Sequence, residues 1–292
     1  MSVGLLDPGF VRELEALRRM LSVRVASGAS GEQVARRRGG STEFSEHRPY
    51  APGDDLRRVD WAAYARTGEP VVKVFRAEED VLVRLAVDTS ASLAGDKLDR
   101  ALRVAAAVGY MALAGAERVQ VIPFAGTATL RARPVRGRSG LPDLLHTLAG
   151  VTAGGTTDLG AAVDAAVAHG RPGLLVVVSD FLDPAGCARP LRRARAAGHD
   201  LALVQVLRRD EMDPRLDGDL VLEDSETGET VDLTADPDVL AAYRARLAAL
   251  VDDLRAFARA HRASYARTVT DERLEDAVRR VVERRVDPGC AA

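Results

Sequence analysis

Lysine is nearly missing from this sequence: only Lys73 and Lys97 interrupt a basic complement that is otherwise arginine. Cysteine is as sparse. Cys187 and Cys290 stand far apart and in no metal-spaced or Cys-x-x-Cys pattern, which argues against a disulfide framework and for a reducing compartment. Net charge is close to absent as well. With 41 basic and 43 acidic side chains the balance is -2, so nothing draws the whole chain toward nucleic acid or an anionic membrane. No stretch approaches the roughly 18 consecutive apolar residues of a membrane span. The start, MSVGLLDPGF, lacks the basic residues and apolar core of a secretory signal. The expectation is a cytoplasmic protein with no membrane span and no nucleic-acid partner.

What is present fits a globular chain. Its 292 residues are 47% hydrophobic and 29% charged, enough for one large α/β domain with additions or two small domains. Phe10, Leu14, Leu17, Leu21 and Val25 recur at helical spacing and predict a helix packed on the main domain. Residues 26–40 form a Gly-, Ser- and Arg-rich loop. Its Arg36-Arg37-Arg38 run reads as a solvated cluster, and its GASGE lacks the Lys and spacing of a phosphate loop. From Glu43 to Arg76 the chain is dense in Arg, Asp and aromatic residues. Pro52-Gly53-Asp54-Asp55 marks a turn, Asp60 to Arg66 a short helix and Val71 to Phe75 a strand. This segment reads as an ion-paired brace with Trp61 and Tyr50 packed beneath it, or as a recognition surface.

From Val81 onward strands and helices alternate. Strands are expected at Val81–Val87, Val119–Phe124, Leu174–Val178, Leu201–Leu207 and Tyr265–Val269, with an edge strand within Thr127–Val135. Helices are expected at Lys97–Ala116, Leu141–Leu148, Leu159–His169, Cys187–Ala197, Asp236–His261 and Asp271–Val286. Leu220–Leu233 reads as a hairpin turning at Thr227-Gly228. Such alternation implies a doubly wound, mostly parallel α/β sheet of Rossmann type, whose ligands sit beyond the carboxyl ends of its strands.

Two strands end in polar clusters: Asp88-Thr89-Ser90 and Ser179-Asp180. Asp88, Ser90 and Ser92 place oxygen-bearing side chains at alternate positions, where a loop can wrap a hard cation such as Mg²⁺ or Mn²⁺. A hydroxyl from Thr157 or Thr156, in the Gly-rich loop GGTTD, and the carboxylate of Asp180 would complete the protein's share. One position would be left for a partner's carboxylate. This set resembles the metal-ion-dependent adhesion site of von Willebrand factor A domains: Asp-x-Ser-x-Ser on the first strand, a Thr in a Gly-rich loop, an Asp at the end of the fourth strand. TDLGAAV matches the family's run better at Thr157 than at Thr156.

The upstream pattern EF…RPYAPGDDLRRVDW…AR…VKVF, followed by Glu78-Glu79-Asp80, is similar to the signature of the domain of unknown function 58 family. The resemblance extends through SDFLD and the ETGE hairpin. It implies an N-terminal family-specific extension at 1–78 packed on the core, a von Willebrand factor A-like domain at 79–286 with a β-hairpin insertion, and a tail at 287–292. It also implies a non-enzymatic interaction module that works with a MoxR-type AAA+ ATPase on a client protein, in complex assembly or chaperone-like maturation.

Two other readings stay open. A Mg²⁺-dependent hydrolase or phosphatase could use Asp88, but Ser90 stands where a haloacid-dehalogenase-type phosphatase has its second Asp. Ser90 and Ser92 also lack the glycines of a nucleophile elbow. Alternatively the metal site is vestigial in a scaffold, with Ser92 or Asp96 serving as a helix N-cap.

Overall fold

The computed structural model describes residues 4–21, 42–52, 54–77, 81–126, 128–129, 131–168, 171–183 and 186–286. The expected basic loop at 26–40, the acidic run at 78–80 and the tail with Cys290 lie outside them, as do residues 22–25 of the first helix. Contacts divide the chain into two compact units, Ala29–Asp80 and the combination of Met1–Gly28 with Val81–Ala292.

Helix α1 (Pro8–Met20) belongs to the larger unit. Asp7 caps it by accepting from the Gly9 amide, and Pro8 opens it with a preset backbone angle. Its buried face is Phe10, Leu14 and Leu17, the residues the helical spacing selects.

The smaller unit is a two-stranded antiparallel ladder. Strand β1 (Thr42–Pro49) pairs with β2 (Val71–Ala77), with a bulge between Phe44 and Glu46. Between them lies helix α2 (Trp61–Thr67), capped by Asp60 through the amides of Ala62 and Ala63. The expected ion pairs are present: Arg48 grips Asp54 through two bonds of 2.8 and 2.6 Å, and His47 meets Asp60 at 3.0 Å. The burial of Trp61 is corrected. It is 59% exposed, with its ring edge-on to Tyr64, because it sits at the first position of a short helix whose buried residue is Ala63.

The larger unit continues in strict order: β3 (Leu82–Asp88), α3 (Asp96–Ala114), β4 (Arg118–Ala125), β5 (Ala128–Thr129), β6 (Val135–Arg136), α4 (Leu141–Ala149), α5 (Leu159–Val167), β7 (Leu174–Ser179), α6 (Ala188–Ala196), β8 (Asp200–Leu207), α7 (Arg209–Met212), β9 (Gly218–Glu223), β10 (Thr230–Ala235), α8 (Pro237–Ala260), β11 (Ser264–Val269) and α9 (Leu274–Val286). The sheet runs β11-β8-β7-β3-β4-β5, with β6 also paired to β4. All pairings from β11 to β4 are parallel, and among the described residues of this sheet only the two-residue strands β5 and β6 run antiparallel. The single edge strand expected within Thr127–Val135 is thus two fragments. Pro134 lacks an amide donor and interrupts the ladder before β6.

Both faces of the sheet are covered, which is why its strands read as continuous apolar runs. Val83, Leu85 and Val87 of β3 join a core with α1, α3, α4 and α9. Ala86 faces a second core with α5, α6 and α8. The chain lays β4 on one side of β3, then crosses to β7, β8 and β11 on the other. The order therefore reverses between β3 and β7, and the region beyond the carboxyl ends of such strands is the usual ligand position in doubly wound sheets. The β9–β10 hairpin stands off this sheet as a separate two-stranded ribbon.

Candidate functional site

Asp88 is the last residue of β3 and is fully buried. The chain leaves the sheet there because Thr89 donates both its amide and its hydroxyl to Phe124 O, at 2.9 and 3.0 Å. The Ser90 amide then returns to Asp88 Oδ1 at 3.0 Å, and Ser90 Oγ lies 3.0 Å from Ser92 Oγ. The expected helix-capping role is not taken up: the N-cap of α3 is Gly95, with no side-chain bond, and Asp96 instead holds Arg208. Ser92 therefore has no capping task to explain its place.

The Gly-rich loop is sewn to this turn by backbone bonds, Ala91 N to Gly155 O at 2.9 Å and Gly154 N to Thr89 O at 2.8 Å. Gly155 adopts φ +76°, a left-handed angle that lets the loop fold back against the strand end. This places Thr157 Oγ1 at 3.0 Å from Asp88 Oδ2. Thr156 is exposed, and its carbonyl accepts from Gly126 N. Of the two threonines, Thr157 is the one turned to Asp88.

From β7, Ser179 Oγ donates to Asp88 Oδ2 at 2.6 Å and accepts from the Phe181 amide at 3.0 Å. Asp180 sits just beyond, with its backbone carbonyl held by Gln205 and its Oδ1 by the Leu182 amide. Phe181 itself has φ +58°, a left-handed angle that is strained for an aromatic residue. The turn that aims Asp180 is thus over-determined by its neighbours.

Electrostatically the two carboxylates differ. Burial pushes the Asp88 pKa up, the donors Ser179 and Ser90 oppose that, and the nearby charge of Asp180 adds to the rise. Asp180 is matched by a cation. The ammonium of Lys97, 1% exposed on α3, bonds Asp180 Oδ2 at 2.8 Å and Glu211 Oε1 at 2.7 Å.

Asp88, Ser90, Ser92 and Thr157 therefore form one hydrogen-bonded cluster, with Asp180 beside it in an ion pair. Sequence reasoning placed Ser179 in a strand-end polar cluster without giving it a role, and it missed Lys97, Glu211 and Glu226, whose carboxylate accepts the Thr157 amide at 2.9 Å. Lys97 had left a signal: it is one of two lysines in an arginine-rich chain, and it falls in the first turn of α3. The side-chain ligand atoms gathered at Asp88 are all oxygens, a set suited to Mg²⁺ or Mn²⁺ rather than to a thiophilic metal. Among the described residues no group of three or more His, Cys, Asp or Glu side chains is gathered to hold a metal. Any cation here would rest on hydroxyls around one carboxylate. The imidazoles of His47, His146 and His199 bond elsewhere, to Asp60, Pro142 O and the Gly173 amide.

Residues 46–253 match the family described as Protein of unknown function DUF58. The chain belongs to the DUF58 family. The matched span takes in Asp88, Ser90, Ser92, Thr157, Asp180 and Glu226, so the whole cluster lies inside the family region. Among the relatives of this DUF58 chain is the uncharacterized protein Rv1480 of Mycobacterium tuberculosis, strain H37Rv. It is 35% identical over 274 residues, covering 90% of this chain and 82% of the relative. The uncharacterized protein Mb1516 of Mycobacterium bovis matches to the same extent. Two solved structures from Bacteroides cover 70% of this chain and 98% of their own. BatB of Bacteroides thetaiotaomicron has a TM-score of 0.44 at 15% identity, and an aerotolerance-related membrane protein of Bacteroides fragilis has 0.45 at 19%. Among the described residues, no helix of the DUF58 chain is long and apolar enough to cross a membrane.

Proposed function

We propose that the cluster at Asp88 binds a divalent cation, Mg²⁺ or Mn²⁺, and through it the carboxylate of a protein partner. The reading treats the larger unit as a von Willebrand factor A-like domain and the cluster as its metal-ion-dependent adhesion site. The partner is a MoxR-type AAA+ ATPase, and the chain acts without catalysis of its own, in assembly or chaperone-like maturation of a client. The observation that carries this is the convergence of Asp88, Ser90, Ser92 and Thr157 at the switch point of the sheet. Distance supports it too. Ligands at about 2.1 Å from Mg²⁺ in an octahedron lie ~3.0 Å apart along an edge. Ser90 Oγ to Ser92 Oγ and Thr157 Oγ1 to Asp88 Oδ2 are both 3.0 Å. The bound cation would supply positive charge at the crevice and so attract an acidic side chain. Asp88, Ser90, Ser92 and Thr157 would hold it, while Asp180, matched by Lys97, would orient from outside.

One observation favours a second reading. The Lys97–Asp180 pair answers the Asp180 charge without any bound cation, as a purely structural knot would. Titration calorimetry with Mg²⁺, together with co-purification of the ATPase in the presence and absence of chelator, separates the two. The adhesion reading expects binding and capture that vanish with chelator and in Asp88→Ala. It fails if Asp88→Ala leaves both unchanged.

A further inference from the structure

The hairpin insertion carries a group that reaches the cluster from outside. Glu226 lies in the β9–β10 turn, and its Oε2 accepts the Thr157 amide at 2.9 Å. Thr157 is the residue whose hydroxyl bonds Asp88. Across residues 221–230 every side chain is exposed except Glu226, which is half-buried. The turn is shaped to present it. Asp224 Oδ1 accepts the amides of Glu226 and Thr227 at 2.7 and 3.0 Å, and Gly228 closes the loop at φ +74°. Those same two amides hold the Asp224 pKa below its usual value.

The ribbon behind the turn is lightly attached. Val221 and Val231 are 68% and 62% exposed. Of its other apolar residues, Leu222, Leu233 and the buried Ala235 line a groove of about 960 Å³ with Leu216, Leu240 and Tyr243. A two-stranded ribbon held to its surroundings mainly near its base is marginal by itself and can shift at small cost.

We propose that Glu226 is an internal ligand of the Asp88 site. It occupies the mouth where an external carboxylate would bind, and a partner engages by exchanging its own acidic side chain for Glu226 while the hairpin swings away. The exchange is carboxylate for carboxylate, so the charge at the site is conserved. The turn Asp224-Ser225-Glu226-Thr227-Gly228 then shows the chemistry of the partner's contact: an acidic residue presented on a tight, polar loop. This inference rests on the metal-binding reading above.

The test uses the full chain with Mn²⁺ as the metal and acetate as the external carboxylate. Four proteins are compared: wild type, Glu226→Gln, Glu229→Gln as a same-turn charge control, and Asp88→Ala. Free Mn²⁺ is read by electron paramagnetic resonance, and metal-bound water by proton relaxation. Glu226→Gln should bind acetate about tenfold more tightly than wild type, equivalent to ~1.4 kcal/mol. It should also gain an exchangeable water on Mn²⁺, while Glu229→Gln behaves as wild type. Without metal, the Thr157 amide should exchange faster with solvent in Glu226→Gln. If wild type binds Mn²⁺ and Asp88→Ala does not, but Glu226→Gln matches wild type in acetate affinity and water, the internal ligand is overturned while the metal site stands. If wild type binds no Mn²⁺, both are overturned. An equal gain in Glu229→Gln would reduce the effect to general charge and also overturn the inference.

Discussion

Replacing Lys97 by Met tests the most consequential buried charge in the molecule. The side chain is 1% exposed, and its ammonium is shared between Asp180, also buried, and Glu211, which keeps some access to water. Methionine keeps the unbranched stem and its packing but removes the charge, leaving the Asp180 carboxylate in a dry site with only the Leu182 amide on its other oxygen. Breaking a buried pair from one side costs ~3–5 kcal/mol, because the remaining ion can neither reach water nor find another partner. For a chain of this size that corresponds to a fall in Tm of about 6–20 °C. The double variant Lys97→Met/Asp180→Asn should recover a large part of the loss, since the stranded charge is then gone, and coupling in such contacting pairs is ~0.5–3 kcal/mol. Urea unfolding followed by far-ultraviolet circular dichroism gives the three free energies. A further consequence separates the structural role of Lys97 from its electrostatic one. Adding Mg²⁺ should raise the Tm of Lys97→Met more than that of wild type, because a cation can then answer Asp180. A loss below about 1 kcal/mol in Lys97→Met, the range of an exposed pair, would refute the reasoning.

Two further outcomes follow from single residues. His199 is buried, and burial together with the Arg84 charge pushes its pKa down from 6.5 to about 4. The unfolded chain accepts a proton there that the folded chain refuses, so stability is lost as pH falls from 6.5 to about 4. The loss reaches ~3 kcal/mol by linkage. In His199→Gln that slope should disappear, and a wild-type-minus-variant difference that stays constant across the window would contradict it. Ala116, exposed just past α3, adopts φ +62°. Ala116→Gly should stabilise by roughly 0.5–1 kcal/mol, the left-handed penalty less the extra freedom of the unfolded glycine. Calorimetry showing a lower Tm would contradict that.

The sheet was legible because its strands are buried on both faces. LLVVVS of β7 and LALVQVL of β8 announce themselves as apolar runs, and the turn residues between them mark the helices. β1 was not legible. Its sequence TEFSEHRP carries charge at several positions and a bulge that breaks the alternation, and its partner β2 lies beyond an intervening helix. The Asp88 cluster was legible for a related reason. Its members sit at fixed offsets from strand ends, and an apolar run that stops in Asp or Ser advertises the stop.

Residues that reach the cluster from helices and hairpins carry no such marker. Lys97 stands 83 residues from Asp180 and 114 from Glu211, and Glu226 stands 69 from Thr157. Their partners are chosen by tertiary packing, which local pattern does not encode. These are also the residues that set the charge of the site. Asp88 and Asp180 alone would be two carboxylates repelling one another at one strand-end crevice. Lys97 offsets the Asp180 charge from inside, and Glu226 adds a negative group from the hairpin turn. Read only from its strand-end oxygens, the site offers side chains of the kind a hard cation takes. With the long-range charges included, its Asp180 carboxylate is paired with Lys97 and its Thr157 amide with the Glu226 carboxylate. The charge around the strand-end oxygens is therefore set from α3 and the hairpin as well as from the strands themselves.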